Sequence, residues 1–222
     1  MFSLIFTAGI IGAAYAISKA ASLGGGKPTK GKTKSDIMKM RTQVNALSQA
    51  LIPITEKELE LLSYDDTDET YKKSFGTVTL SGIFLSIYQE HMVAYVYKGN
   101  TRKKRSGLLI VKTLNSEFLY QIVGDKVTVM MGEYLLGEYG TDGLLYGAKS
   151  GRLITRMNKD AKDFNSLIVM GEDKATIRVP SPEDINPRVF EFIDQNLTDD
   201  QLVLIQAVVY YELVDRVLKS KE

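Results

Sequence analysis

Four consecutive cations, Arg102-Lys103-Lys104-Arg105, stand between two apolar runs, VAYVY at 93–97 and LLIV at 108–111. Cations at that density in a short connection suit the oxygens of an anionic phospholipid headgroup, a phosphoinositide or an acidic patch on a partner protein. A second concentration has the opposite sign, YDDTDET at 64–70. An EF-hand starting at Asp66 requires glycine at its sixth position and a carboxylate at its twelfth, and the chain has Tyr71 and Thr77 there. No metal site is therefore expected, and the run reads as a solvated loop.

Much other chemistry is excluded by what the chain lacks. There is no cysteine, and His91 is the single histidine. Disulfides, thiolate metal sites, cysteine nucleophiles and mechanisms needing two imidazoles are all removed. His91 follows Glu90 between two predicted strands, where a surface histidine is expected rather than a general base. G-x-G-x-x-G, G-x-S-x-G and H-E-x-x-H do not occur. GGGKPTKGKT (24–33) lacks the strand-to-helix context of a phosphate-binding loop and is read as linker. No cofactor and no catalytic residue is assigned. The net charge of +1 over 222 residues argues against a nucleic-acid partner. That total is unevenly spread, since residues 1–55 carry +6 and residues 56–71 carry −6.

The elements that would position these groups begin with MFSLIFTAGIIGAAYAIS, 18 residues without a charge. This is a short but adequate bilayer span if Lys19 snorkels to the interface. Ala14-Tyr15-Ala16 resembles a signal-peptide cleavage site, but no basic residue precedes Lys19. The positive charge follows the span, which favours an uncleaved single-pass anchor with the rest of the chain cytoplasmic. A secreted or periplasmic binding domain released by cleavage is the second reading. Residues 19–35 are read as a flexible basic linker whose Lys19, Lys27, Lys30, Lys32 and Lys34 lie at the membrane interface.

Residues 36–71 read as a helical neck and an acidic loop. Ser35 is the predicted N-cap, and Ile37, Met40, Val44, Leu47 and Leu51 make one apolar stripe. Pro53 breaks the helix, and Thr55 with Glu58 offers a capping box for a second one through Leu62. Segments 1–18 and 36–51 are where two copies of the chain would pair.

Residues 72–222 read as a β-rich domain with a C-terminal core helix. Predicted strands are 76–88, 91–98, 107–114, 117–123, 126–131, 133–139, 143–148, 152–157, 164–170 and 174–179. Gly124-Asp125 and Ser150-Gly151 suit hairpin turns, and the absence of intervening helical patterns favours an antiparallel meander. After PSPEDINP (180–187) two helical stretches are expected, the last over about 199–218 with Thr198 near its cap. Its segment LVLIQAVVYY (202–211) has Gln206 as its single polar side chain. Ten residues are too few to span a bilayer, so this helix must be covered on every side by protein. A sheet closed around it is the economical solution. A two-layer sandwich with the helix packed against one face, covered elsewhere by helices within 36–62, is the alternative.

A β-rich domain ending in a hydrophobic helix, with GEYGTDGLLYGAKSGRLI (reading to 154) and LVLIQAVVYYELV (202–214), resembles the tubby C-terminal-like superfamily. That group includes tubby domains, phospholipid scramblases and the plant LURP-one-related proteins. The resemblance covers about residues 76–218 and implies a closed antiparallel barrel of about a dozen strands around a C-terminal helix. It also implies lipid recognition through basic residues, as tubby domains show toward phosphoinositides. Scramblases carry cysteine-rich and calcium-associated features absent here, and their anchor is at the opposite end, so scrambling is not carried over.

The function expected is that of a membrane-anchored, non-enzymatic protein. Its cytoplasmic β-domain would dock on anionic lipid or a larger membrane protein assembly, in an accessory or scaffold role, with Arg102, Lys103, Lys104 and Arg105 as contacts. A hydrolase or other enzyme using carboxylates that pattern reading does not locate is the remaining alternative.

Overall fold

In a computed structural model of the chain, twelve strands pair antiparallel, each with the next, in an unbroken meander. The structure describes residues 30–100, 106–159, 162–181 and 188–221. The strands are β1 Leu62–Ser74, β2 Thr77–Ser86, β3 His91–Gly99, β4 Ser106–Lys112, β5 Glu117–Val123 and β6 Lys126–Met131. They continue with β7 Tyr134–Gly140, β8 Leu144–Gly147, β9 Leu153–Met157, β10 Phe164–Val169, β11 Glu172–Arg178 and β12 Phe190–Ile193. The first and last meet at one place. Val189 N–H donates to the Leu62 carbonyl at 2.8 Å beside a Ser63–Arg188 bridge, and a nearly closed barrel results.

Helix α3, Asp199–Ser220, fills that barrel. Thr198 and Gln201 close a capping box at its start, with the Gln201 N–H reaching the Thr198 hydroxyl at 3.3 Å. Every residue from Leu204 to Tyr211 is buried. The helix touches inward-facing residues around the wall. Tyr211 lies 5.8 Å from the Tyr120 ring and 5.6 Å from Tyr139, and Tyr210 meets Phe118 edge-on at 5.8 Å. The Tyr120 hydroxyl donates to the Ala207 carbonyl at 2.9 Å. The nearly all-apolar stretch 202–211 is thus explained by its surroundings.

A second helix lies outside the barrel. Helix α1, Lys30–Leu47, sets Ile37, Met40 and Val44, with Leu51 beyond it, against the outer side chains of β2 to β6. Those are Ile83, Ala94, Val96, Ile110, Leu119 and Met130. Lys98 pairs with Asp36 at 2.8 Å and Arg41 with Glu117 at 2.8 Å, fixing α1 along the wall. A short helix α2, Glu56–Glu60, follows, with the predicted Thr55/Glu58 capping box.

All ten predicted strands are present, and five readings are corrected. Helix α1 starts at Lys30 rather than after Ser35, so the end of the 19–35 segment is helical. Lysine is a good helix former, and the docked turns that follow extend the helix back through it. The acidic run 64–70 lies within β1 instead of forming a loop, so the barrel starts at Leu62 rather than near 72. Its pairing with β2 shifts register between Leu62 and Asp66 and again between Thr67 and Thr70, with Asp68 at φ 54°. These bulges break the alternation by which a strand is read. The first expected helix after residue 187 is strand β12, Phe190–Ile193. Finally, α2 ends at Glu60, and Leu62 already belongs to β1. Ser150-Gly151 lies in the connection between β8 and β9, which is longer than a two-residue turn.

Among the described residues no helix is long and apolar enough to cross a membrane. The apolar run 1–18 lies outside them.

Candidate functional site

Because the strands form a simple meander, every second connection lies at the same end of the barrel. Connections 75–76, 100–105, 124–125, 141–143 and 158–163 share the end from which the C-terminal turns of α3 emerge. We call this the exit end. The connections 87–90, 113–116, 132–133, 148–152 and 170–171 share the other, where α3 begins.

Three groups of polar contacts hold the emerging helix to the wall. Glu212 accepts from the Tyr139 hydroxyl at 2.7 Å and pairs with Lys159 at 2.6 Å. Burial, reinforced by the Glu212 charge, keeps the Tyr139 phenol protonated far above its ordinary range. On the next side, the Tyr64 hydroxyl donates to the Arg178 carbonyl at 2.5 Å, and the Arg216 guanidinium sits 5.1 Å from the Tyr64 ring. Burial pushes the Tyr64 phenol up to about 12, with Arg216 opposing it. Beyond it the Tyr95 hydroxyl donates to Asp66 at 2.6 Å, and Lys221 pairs with Glu69 at 2.9 Å. Burial raises the Asp66 carboxyl, with the Tyr95 hydrogen bond acting against it.

The pattern decides what these groups do. Each phenol is a protonated donor to a carboxylate or a carbonyl, so none is poised as a base or nucleophile at neutral pH. They lock a helix in place. Between Tyr64, Asn165, Arg178, Glu212 and Arg216 a cleft of about 220 Å³ remains, with apolar side chains such as Val189 and Val209 beneath it. The Asn165 Oδ1 is buried there without a hydrogen-bond partner.

Arg102, Lys103, Lys104 and Arg105 lie outside the described residues, but the ends that hold their connection do not. Asn100 N–H donates to the Ser106 carbonyl at 2.8 Å, and Gly99 pairs with Gly107, so the connection leaves from the exit end. Lys19 and Lys27 also lie outside the described residues, whereas Lys30, Lys32 and Lys34 fall in the first turns of α1. The Lys98–Asp36 pair brings those turns to the exit end as well, because Lys98 immediately precedes Gly99.

The opposite end carries the reverse charge. Glu56, Glu58 and Glu60 on α2, Glu90, Glu133, Glu172, Asp173, Asp199 and Asp200 gather there, against Lys57, Lys149, Arg152 and Lys174. At the exit end the described charges are mixed, with pairs such as Lys126–Glu138 at 2.8 Å and Lys219–Asp215 at 2.7 Å beside Lys72, Lys73, Lys162, Asp125, Asp142 and Asp163. The barrel is therefore electrostatically polar along its axis.

His91 opens β3 at the acidic end, half-buried, with its carbonyl accepting from Ile52 N–H at 2.9 Å and its Nδ1 without a hydrogen-bond partner. It is far from the exit end by the length of β3. Residues Gly26 to Thr33 have the spacing of a phosphate-binding loop, G-x-x-x-x-G-K-T, and α1 does start within them. Such a loop requires a strand feeding that helix in a parallel sheet. Among the described residues all strands follow α1 and all pairs are antiparallel, so that context is not found there, and residues 26–29 lie outside the described residues.

The residues missed from sequence are Tyr64, Tyr139, Lys159, Arg178 and Glu212, which belong to three strands, a connection and a helix. The one available signal was Glu212 on the otherwise apolar helix face. The twelve-stranded, nearly closed barrel with its C-terminal helix is compatible with a tubby-like architecture. Comparison with protein-family models, curated proteins and solved structures finds no match to this chain.

Proposed function

We propose that this chain is a membrane-anchored, non-enzymatic member of the tubby C-terminal-like superfamily whose barrel docks by its exit end on anionic lipid headgroups. Residues 1–18 are the anchor, the barrel is cytoplasmic, and Arg102, Lys103, Lys104 and Arg105 supply the main headgroup contacts. The observation that carries this reading is the Lys98–Asp36 pair. It brings the start of α1, and so the attachment of residues 1–29, to the end from which the 100–105 connection leaves. An anchor entering there would hold the four cations toward the bilayer and the acidic end away from it. Each Lys or Arg near an anionic surface contributes about 1 kcal/mol.

Two measurements test it. A single Ser150→Cys change in the otherwise cysteine-free chain reports sidedness, since Ser150 is exposed in the β8–β9 connection. Protection from a membrane-impermeant maleimide until the inner membrane is lysed is expected. Labelling of intact cells would place the barrel outside and replace this reading by the released binding domain. In flotation, the full-length chain should bind preformed vesicles containing phosphatidylglycerol more tightly than phosphatidylcholine vesicles. Replacing Arg102–Arg105 by serine should remove most of that difference. Charge-independent flotation would overturn headgroup docking.

A further inference from the structure

The tip of the β1–β2 hairpin lies at the exit end and carries an unusually exposed aromatic side chain. Ser74 pairs with Thr77, so Phe75 and Gly76 make the turn between them, and Gly76 adopts φ 87°, a conformation that glycine takes without strain. Phe75 is 93% exposed, the most exposed of the large apolar side chains among the described residues. Lys72 and Lys73, three and two residues before it, are exposed too. From Thr70 to Gln89 these lysines are the only charged residues. The tip is thus an aromatic ring beside two lysines, with the carboxylates of β1 lying farther along the strand, at Glu69 and before it.

We infer that Phe75 inserts into the headgroup–acyl boundary of an anionic bilayer while Lys72 and Lys73 hold the phosphates beside it. The inference rests on the docking reading above and names the residue that goes below the surface. Aromatic side chains settle at that boundary, and lysines next to an anionic leaflet gain electrostatic attraction. Two features commit the tip to a bilayer. The first is where the undescribed amino-terminal chain departs: α1 begins at the exit end, and the 18-residue uncharged run lies upstream of it. The second is charge. Exposed aromatics occur at the opposite end as well, Tyr88 and Tyr134, but each stands close to a carboxylate, Glu90 or Glu133, at the acidic end. An anionic surface repels that end and attracts this one.

The chain contains no tryptophan, so Phe75→Trp in the full-length protein places a single tryptophan at the tip, excited at the red edge where the tyrosines do not absorb. The variant is mixed with vesicles of phosphatidylcholine alone or with 30% phosphatidylglycerol (roughly one lipid in three, an ordinary anionic fraction). Blue-shifted emission and quenching by bromine-labelled acyl chains are expected on the anionic vesicles. Both should be lost when Lys72 and Lys73 are changed to Glu. Phe75→Ser should weaken anionic-vesicle binding about tenfold, as expected for removing a partly immersed phenylalanine. Flotation with emission that stays solvent-like and unquenched overturns insertion but leaves headgroup docking standing. Absence of flotation overturns both. Blue-shifted emission without lipid, growing with protein concentration, assigns the tip to a second copy of the chain and also overturns the inference.

Discussion

The two long helices solve the same burial problem from opposite sides of one wall. Helix α3 lies within the barrel and is buried around its circumference over Leu204–Tyr211, with Gln206 its single polar side chain there. Helix α1 lies outside, buries the single stripe of Ile37, Met40 and Val44, and leaves Met38 half exposed. The strands between them, β2 to β6, are apolar on both faces. Thus Leu109 and Val111 point to α3 while Ile110 points to α1. Among the described residues no helix covers strands β7 to β9, and these alternate instead, with Tyr139 and Leu145 inside and Glu138 and Tyr146 outside. Burial on both faces produces continuous apolar runs, and burial on one produces alternation.

The difference predicts unequal consequences for the same chemical change. Ile205→Ala in α3 opens a cavity that the barrel wall cannot close, because that side chain is fully buried. A loss of about 2–5 kcal/mol of global stability is expected, read as a lower urea midpoint common to fluorescence and circular dichroism. Ile37→Ala removes an equal volume under a helix free to shift toward solvent. Its cost should fall to about 2 kcal/mol or less, and amide exchange should accelerate in α1 while the strands stay protected. If both variants lower one shared transition equally, barrel and outer helix are a single cooperative unit and the comparison fails.

How much of this was legible follows from the same contrast. The core helix was readable because residues 202–211 have no polar stripe, and a chain cannot expose such a segment. The double-faced strands were readable as strands, and the runs MVAYVY and LLIV also hold the outer helix's docking site, a signal that becomes clear only with pairing register. β1 was hidden because two bulges and a solvent-facing outer side give it the composition of a loop. β12 was hidden by its brevity, four residues among helix-like neighbours. At the exit end the cations 102–105 stand together in sequence, whereas Tyr64, Tyr139, Lys159 and Glu212 meet only because a meander returns to one end every second strand. No local pattern encodes that meeting.

A smaller effect tests the inner wall near the exit end. Gly82 on β2 faces Tyr95 on β3, and a Cβ at Gly82 would lie 2.6 Å from the Tyr95 hydroxyl oxygen. The tyrosine folds across the glycine to reach Asp66. Gly82→Ala must push that ring aside, and a loss of about 1–3 kcal/mol is expected from thermal or urea unfolding. An unchanged midpoint would mean that the ring and the Asp66 bond rearrange without cost.

The smallest effect concerns the carboxylate that Tyr95 serves. Asp66 faces the barrel interior, and burial raises its carboxyl above the ordinary value, with Glu69 adding to the rise and Lys221 opposing it. A group raised on folding binds its proton more readily in the native state. Its charge therefore costs stability in a way that begins as pH rises through the unfolded carboxyl value and is complete above the folded one. Asp66→Asn keeps an oxygen for the Tyr95 hydroxyl and removes the charge. The variant should be as stable as the parent or slightly more so at pH 7, and this advantage should vanish as the pH is lowered through the carboxylate range. Unfolding midpoints of both proteins from pH 3 to pH 8 (roughly the span that brackets carboxyl titration) check the sign. A variant less stable at pH 7 than at acid pH, relative to the parent, would mean that the Lys221 charge outweighs burial. Asp66 would then be a working ion-pair partner of the emerging helix rather than a buried acceptor.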